Sequence, residues 1–338
     1  VGSEMCIRDI HTLWNRTLDG SWIYSSPVVV DGVIFVGTGL ENIHALNLDD
    51  GTVIWNYTTG GAIFSSPTVA YGMVFVGSDD GKIYTLNAST GALIWSRRIG
   101  NSGCGGIRSS PAVADGIVYV GSCNGTFYAF FADNGTIFWS WTIPDLNPLY
   151  VGFAESSPAV ADGIVYVGSW ANCTLHAFNT SDGSLIWEYT TNNSIGSSPT
   201  VVDGIVYVSS WDKNVYALNA TDGSLIWNRT LNGALHSSPT VAYGMVFVGS
   251  NSFIDKKVYA LNASNGVLIW NYTTGHQVKS SPAVGDGMVF IGSWDSNLYA
   301  LNATDGSLIW KYKTRSAVDS SPAIVDGMII VGSNDGNI

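Results

Sequence analysis

The sequence predicts an all-β fold: an eight-bladed β-propeller of four-stranded antiparallel blades, with the last blade incomplete. Three observations predict it. Ser-Ser-Pro recurs with its proline at Pro27, Pro67, Pro111, Pro158, Pro199, Pro239, Pro282 and Pro322. A tryptophan recurs at Trp14, Trp55, Trp95, Trp139, Trp187, Trp227, Trp270 and Trp310, after an apolar pair in every case but the first. Between each proline and the next such tryptophan lie short strand signals and no helix signal. A period of about forty residues marks a stacked-unit architecture, because one such unit cannot bury its apolar face alone.

Residues 197–227 illustrate the unit. PTVV, IVYVSS, VYALN and SLIW are short segments rich in β-branched and aromatic residues. Asp203-Gly204 separates the first pair and Asp222-Gly223 the second, and Asp-Gly favours the positive φ angles of tight hairpin turns. The proline at the start of the first strand removes no ladder bond there. Four antiparallel strands per unit, repeated, make a propeller. Residues 11–17 (HTLWNRT) read as an orphan fourth strand that completes the last blade. The last unit stops at VDGMIIVGSNDGNI, where a third strand should begin, so the chain reads as a fragment.

Residues 1–10 (VGSEMCIRDI) fit no repeat. They lack the apolar stretch and small-residue cleavage site of a signal peptide and read as a non-native leader. The propeller is therefore assigned to residues 11–338 as a single domain. Composition narrows the function. A net charge of −12 argues against nucleic acid, whose binders cluster Lys and Arg. Charged residues are only 12%, yet no run of 18 apolar residues exists to span a membrane.

The tryptophans share a context, as in Leu86-Asn87-Ala88-Ser89-Thr90-Gly91-Ala92-Leu93-Ile94-Trp95. On these residues the chain resembles the pyrroloquinoline-quinone (PQQ)-type propellers, BamB-like branch. The resemblance covers residues 11–338 and implies that each repeat tryptophan docks on the neighbouring blade and its turn glycine. Asn87, Asn219, Asn262 and Asn302 stand where that family has Asp. Many members are non-catalytic scaffolds. A quinoprotein dehydrogenase would imply PQQ over a tryptophan, a calcium ion, an Asp base and a vicinal Cys pair. No Cys-Cys occurs, and only Glu155 and Asp319 are placed to serve as ligands. No cofactor, metal or catalytic residue is therefore expected, with PQQ and calcium as the alternative.

Length variation singles out one edge of the ring. The proline-to-tryptophan spacing is 28 residues in five blades, 29 in blade 4 and 31 in blade 6. The extra residues fall between second and third strands, at Trp170–Cys173 and Asn251–Lys257. The tryptophan-to-proline spacing is 12 in five cases but 16 after Trp95 and 19 after Trp139. In an up-and-down blade both connections emerge at one edge, here termed the top. Insertion-bearing faces of repeat proteins are often the binding faces.

Residue identity points to the same edge. The residue before Ser-Ser-Pro is Tyr24, Phe64, Arg108, Glu155, Gly196, His236, Lys279 or Asp319, different in every unit. As the first strand is innermost, these should ring the mouth of the central channel. Arg108/Glu155 and Lys279/Asp319 come from adjacent blades, and two readings stay open: inter-blade ion pairs, or a polar and aromatic funnel for a ligand. Five further tryptophans belong near the top. Trp170, Trp211 and Trp294 sit in second-to-third-strand turns and are suited to stacking on a ligand or partner; Trp22 and Trp141 follow fourth strands. His236 and His276 fall in successive top loops, whereas His44 and His176 occupy the position of Tyr216 and are structural.

Cys104 and Cys123 share a blade and are the favoured disulfide, Cys123 with Cys173 the second choice, and free thiols the alternative. No zinc spacing is present. Thirteen Asn-X-Ser/Thr sequons, among them Asn56, Asn228 and Asn271, favour an extracellular or cell-surface glycoprotein. The expected partner is a protein or glycan held on the top face. A fragment of a quinoprotein dehydrogenase and a receptor's sensory ectodomain are the alternatives.

Overall fold

The computed structural model describes residues 11–100, 106–144, 152, 153 and 155–338. The expected leader (residues 1–10) and Cys104 lie outside the described residues. The described residues form thirty strands and no helix. They make seven four-stranded antiparallel sheets in sequential order and an eighth sheet of two strands, Ala323–Val325 and Met328–Ile330.

Blade 5 shows how the sequence builds a unit. Its strands are Thr200–Val202, Ile205–Ser209, Asn214–Asn219 and Leu225–Thr230. Asp203 (φ 50°) and Gly204 (φ 73°) join Val202 to Ile205, which stand opposite each other. Two successive left-handed residues are what a two-residue I′ hairpin needs. Asp222-Gly223 behaves differently from this expectation. Only Gly223 has positive φ, and its N–H donates to the Asn219 carbonyl in a longer loop. Gly223 also packs against Trp187 of the preceding blade, whose Cε3 a Cβ there would approach to 2.6 Å, so this position takes no side chain.

The fourth strand carries a bulge. Ala217 faces Trp227 and Leu218 faces Leu225, so Ile226 is an extra residue without a partner. Leu225 and Ile226 consequently both face solvent while Trp227 turns inward, 8% exposed. Each indole of Trp14, Trp55, Trp95, Trp139, Trp187, Trp227 and Trp270 donates its Nε1–H to a backbone carbonyl of the next blade, at 2.8–2.9 Å. Second and third strands are buried on both faces because the flanking blades cover them. Trp227, Tyr207 and Ala217 of blade 5, for example, pack with Val246, Val248 and Tyr259 of blade 6.

The Ser-Ser-Pro repeats meet around the axis. The first serine's Oγ accepts from a second-strand backbone N–H, as Ser237 does from Gly249 at 3.1 Å. The second serine links blades: Ser26 N–H donates to Ser66 Oγ, Ser66 to Ser110, Ser110 to Ser157, and Ser157 to Ser198. Ser198, Ser238 and Ser281 donate in turn to Ser238, Ser281 and Ser321, and Ser321 donates back to Ser26 Oγ at 3.0 Å. Eight hydrogen bonds thus close a ring through the eighth unit.

That eighth unit corrects one expectation. Residues 11–17 form no strand; their ladder contact is the single bridge Thr17–Asn337, flanked by two backbone bonds between Arg16 and Ile338. In blade 5 the partner of Trp227 is the fourth residue of the third strand. The eighth unit offers only Asn337 and Ile338 there, so Trp14 has no strand to pair with.

Candidate ligand-binding face

The two variable connections of each unit lie together. Backbone N–H groups of the second-to-third-strand turns donate to carbonyls of the fourth-to-first-strand connections: Gly39 to Trp22, Asp79 to Ala62, Trp211 to Ser194, and Trp294 to Gln277. At the opposite edge the two remaining turns bond to each other, as Ala220 N–H does to the Gly204 carbonyl. The blade 4 and blade 6 insertions therefore lie on the top edge, while the lengthened connections after Trp95 and Trp139 fall partly outside the described residues.

The channel-mouth residues form local groups. Tyr24 and Phe64 are adjacent rings, 5.2 Å between centroids, and Trp22 meets Tyr24 edge-on at 6.0 Å. The Arg108 guanidinium lies 4.5 Å above the Phe64 ring and forks onto Asp79 at 3.0 and 3.1 Å. The Arg108–Glu155 ion pair, one of the two open readings, is not formed; Asp79 in the adjacent turn takes the Arg108 Nε and Nη2 donors. Glu155 reaches instead to His236, two blades on, with Oε2 3.1 Å from Nε2. Gly196 lies beside this contact, where a Cβ would stand 3.4 Å from Glu155 Oε2 and 3.1 Å from Trp170 Cζ3.

Burial raises the Glu155 carboxyl, but the His236 hydrogen bond and the charges of His236, Arg108 and Lys279 outweigh it and hold its pKa below the ordinary value of 4.5. A depressed carboxylate contributes stability that is present above its unfolded pKa and lost as pH falls through the folded one. Glu155→Gln is therefore expected to flatten the acid limb of the stability curve below about pH 4.5. Urea midpoints across that range check it; an unchanged acid limb would remove the cation cluster's claim on Glu155.

Lys279 and Asp319 likewise do not pair with each other. Lys279 Nζ sits 4.7 Å above the Trp294 ring. Asp319 accepts from the Trp294 indole and from Asn334 Nδ2. Trp294 also stacks on His276, the planes 16° apart. Trp170 and Trp211 meet edge-to-face at 4.9 Å, and Trp211 touches His236. All three turn tryptophans are half-buried by these contacts. Trp22 is the exposed one, at 53%. Trp141 lies within the fourth strand Ile137–Thr142 and packs against Phe153 and Phe178.

The sequence reading missed Phe253 and Ile254, 66% and 96% exposed at the tip of the blade 6 insertion; the extra length there was the available signal. It also missed Asp79, which has nothing in its local sequence to mark it. His44 and His176 do take the slot of Tyr216, opposite Val36 and Val167 as Tyr216 is opposite Val208. Cys123 is disulfide-bonded and Cys173 is free, which overturns the Cys123–Cys173 alternative and the all-thiol one. Among the described residues no group of three or more His, Cys, Asp or Glu is arranged to hold a metal ion.

The family model described as outer membrane protein assembly factor BamB matches residues 9–169, 147–228, 174–279 and 255–338. The chain belongs to this family. Among curated proteins no sequence matches this BamB-like chain. Its fold is shared with BamB from Moraxella catarrhalis at a TM-score of 0.81 and 19% identity, covering 96% of each chain. The computationally designed protein Ika8 matches at 0.80 and 16% identity, over 96% of this chain and 97% of that one. Quinohemoprotein alcohol dehydrogenase ADHIIG from Pseudomonas putida HK5 matches at 0.78 and 17% identity, over 94% of this BamB-like chain and 70% of its own.

Proposed function

We propose that this protein is a non-catalytic binding or scaffold propeller of the cell envelope or cell surface that holds a protein partner on its top edge. The observation that carries the reading is the asymmetry of the two edges. One repeats its turns; the other gathers the insertion tips, the half-buried tryptophans and eight different channel-mouth residues. Exposed Phe253 and Ile254 beside the His276–Trp294 stack supply an apolar centre, and Arg108, Glu155 and Lys279 supply charge around the mouth. Apolar anchors inside a polar rim are the anatomy of a protein interface. The description of the family as an assembly factor is in keeping with this. A glycan is the alternative ligand.

The test is cross-linked capture from envelope extracts, followed by affinity measurements. Trp170→Ala and Trp211→Ala are expected to weaken capture of the partner roughly thirtyfold, the usual cost of losing an interface anchor. Asp203→Asn, which keeps the opposite-edge turn, should change it little. The reverse pattern would put function on the other edge.

A quinoprotein reading is favoured only by neighbours such as the alcohol dehydrogenase. The residues present do not fit PQQ with calcium. The Trp294 ring is already engaged by His276 and Lys279, both Asp319 oxygens accept hydrogen bonds from Trp294 and Asn334, and Glu155 Oε2 lies 3.1 Å from His236 Nε2. Adding PQQ and calcium is expected to leave thermal stability unchanged. A bound ligand at a hundredfold excess over its Kd would stabilise by about 2.7 kcal/mol, and a shift of that size would bring the quinoprotein reading forward.

A further inference from the structure

We propose that Asn56, Asn228 and Asn271 are sites of N-linked carbohydrate attachment on the outer rim of the ring. The chain has thirteen Asn-X-Ser/Thr sequons, and the fold treats them unequally. Six lie in the loops between third and fourth strands, as at Asn179, Asn219 and Asn262. In each of the six, the asparagine Oδ1 accepts the backbone N–H of the sequon's own third residue, which winds the tripeptide into a turn. At Asn124 and Asn172 the amide nitrogen is engaged, by the Ile99 carbonyl and by His176, and Thr126 and Thr174 are buried. Asn192 is exposed, but its Ser194 is buried and donates to the Trp170 carbonyl.

The three rim asparagines stand apart. Each follows the repeat tryptophan inside a fourth strand: Val53–Thr58, Leu225–Thr230 or Leu268–Thr273. Each of these strands is the last of its sheet, so its outer backbone edge is unpaired. Asparagine and threonine are both exposed in all three sequons. An edge strand already holds its tripeptide extended, whereas a turn must open before an enzyme can seat it. The Thr58 and Thr230 hydroxyls donate to Asn42 and Asn214 Oδ1 at 2.6 Å. No such bond holds Thr273, so Asn271 is the most accessible of the three.

The distribution of charge points the same way. Outer strands expose apolar pairs, such as Val53 with Ile54 and Leu225 with Ile226, and exposed apolar edges invite pairing with other chains unless something covers them. Leu93–Arg98, Leu185–Thr190 and Leu308–Lys313 carry charge on the strand (Arg97, Glu188 and Lys311 among them) and no sequon. Val53–Thr58 and Leu268–Thr273 carry a sequon and no charge. Leu225–Thr230 has both, through Arg229, and Ile137–Thr142 has neither.

The donor is a polyprenyl-phosphate-linked oligosaccharide. The asparagine Nδ2 bonds to the anomeric carbon, the carbon–oxygen bond to phosphate breaks with its electron pair leaving on the phosphate, and one Nδ2 proton passes to a base of the transferase. That enzyme acts outside the cytosol, so the proposal rests on the envelope location given above.

The test supplies the enzyme, so a failure faults the sites and not that location. The folded chain is incubated with a purified oligosaccharyltransferase, shown to modify an Asn-Tyr-Thr peptide, and its lipid-linked oligosaccharide. Peptide mass spectrometry reads occupancy. Asn271, then Asn56 and Asn228, are expected to be modified at least about tenfold faster than any turn sequon. Thr273→Ala should abolish modification of Asn271 and Thr273→Ser should retain it, with the urea midpoint unchanged in both. A folded chain left unmodified, or turn asparagines occupied as fast as Asn271, would overturn the proposal.

Discussion

Trp227→Ala is expected to destabilise the protein by roughly 3–5 kcal/mol, the range for truncating a buried aromatic side chain. The indole is 8% exposed and packs against Tyr207 at 6.0 Å. Its Nε1–H is bonded to the Ala263 carbonyl at 2.8 Å, and its ring lies over Gly266, where a Cβ would come within 2.6 Å. Alanine leaves a void between two blades and a carbonyl without its donor, and neither blade can shift without disturbing its far neighbour. Trp310 is the internal control. It belongs to the same series but is only half-buried and bonds to nothing through Nε1. Trp310→Ala should therefore cost less than Trp227→Ala. Denaturant midpoints for the pair check both statements, and equal losses would mean that the inter-blade contact is not what the tryptophan contributes.

Acid is expected to weaken the fold through His176. Burial lowers its pKa from 6.5 to about 4. Glu188 is 3.6 Å away, but its side chain is 54% exposed and water screens it, so it offsets little. The folded state then takes up this proton later than the unfolded chain does. Between pH 6.5 and about 4 the unfolded chain binds more protons, so stability falls as pH drops through that window and stays lost below it. The full effect is up to about 3 kcal/mol. His176→Tyr, which installs the residue found at the equivalent position of blade 5, should remove the slope between pH 6.5 and 4 while leaving the lower Glu155 limb. Stability curves for the two proteins that remain parallel there would reject the assignment.

Much of the fold was legible because it repeats. Ser-Ser-Pro marks a position that eight copies state independently. The first hairpin reads Asp-Gly in six units and Tyr-Gly in two, the apolar pair precedes seven of the eight tryptophans, and the serines and tryptophans among them bond between blades. What the repeat could not show is what departs from it. The repeat placed Arg108, Glu155 and His236 at one position of their units, but not which partner each would take: Arg108 turns to Asp79 in the adjacent turn and Glu155 to His236 two blades on. The outward Leu225 and Ile226 follow from a bulge that no hydrophobic alternation announces. The two Asp-Gly turns of blade 5 look alike in sequence, yet only the first places two left-handed residues in succession, and the glycine of the second packs on a tryptophan from the blade before.

The serine ring has a mechanical consequence. Its eight donors all run the same way around the axis, so no unit is its beginning and none its end. At the hub, closure is carried by first strands and the turns that precede them, and the eighth unit takes its place there, passing the hydrogen bond from Ser281 through Ser321 to Ser26. Top loops take no part in this ring, which leaves them free to differ from one unit to the next.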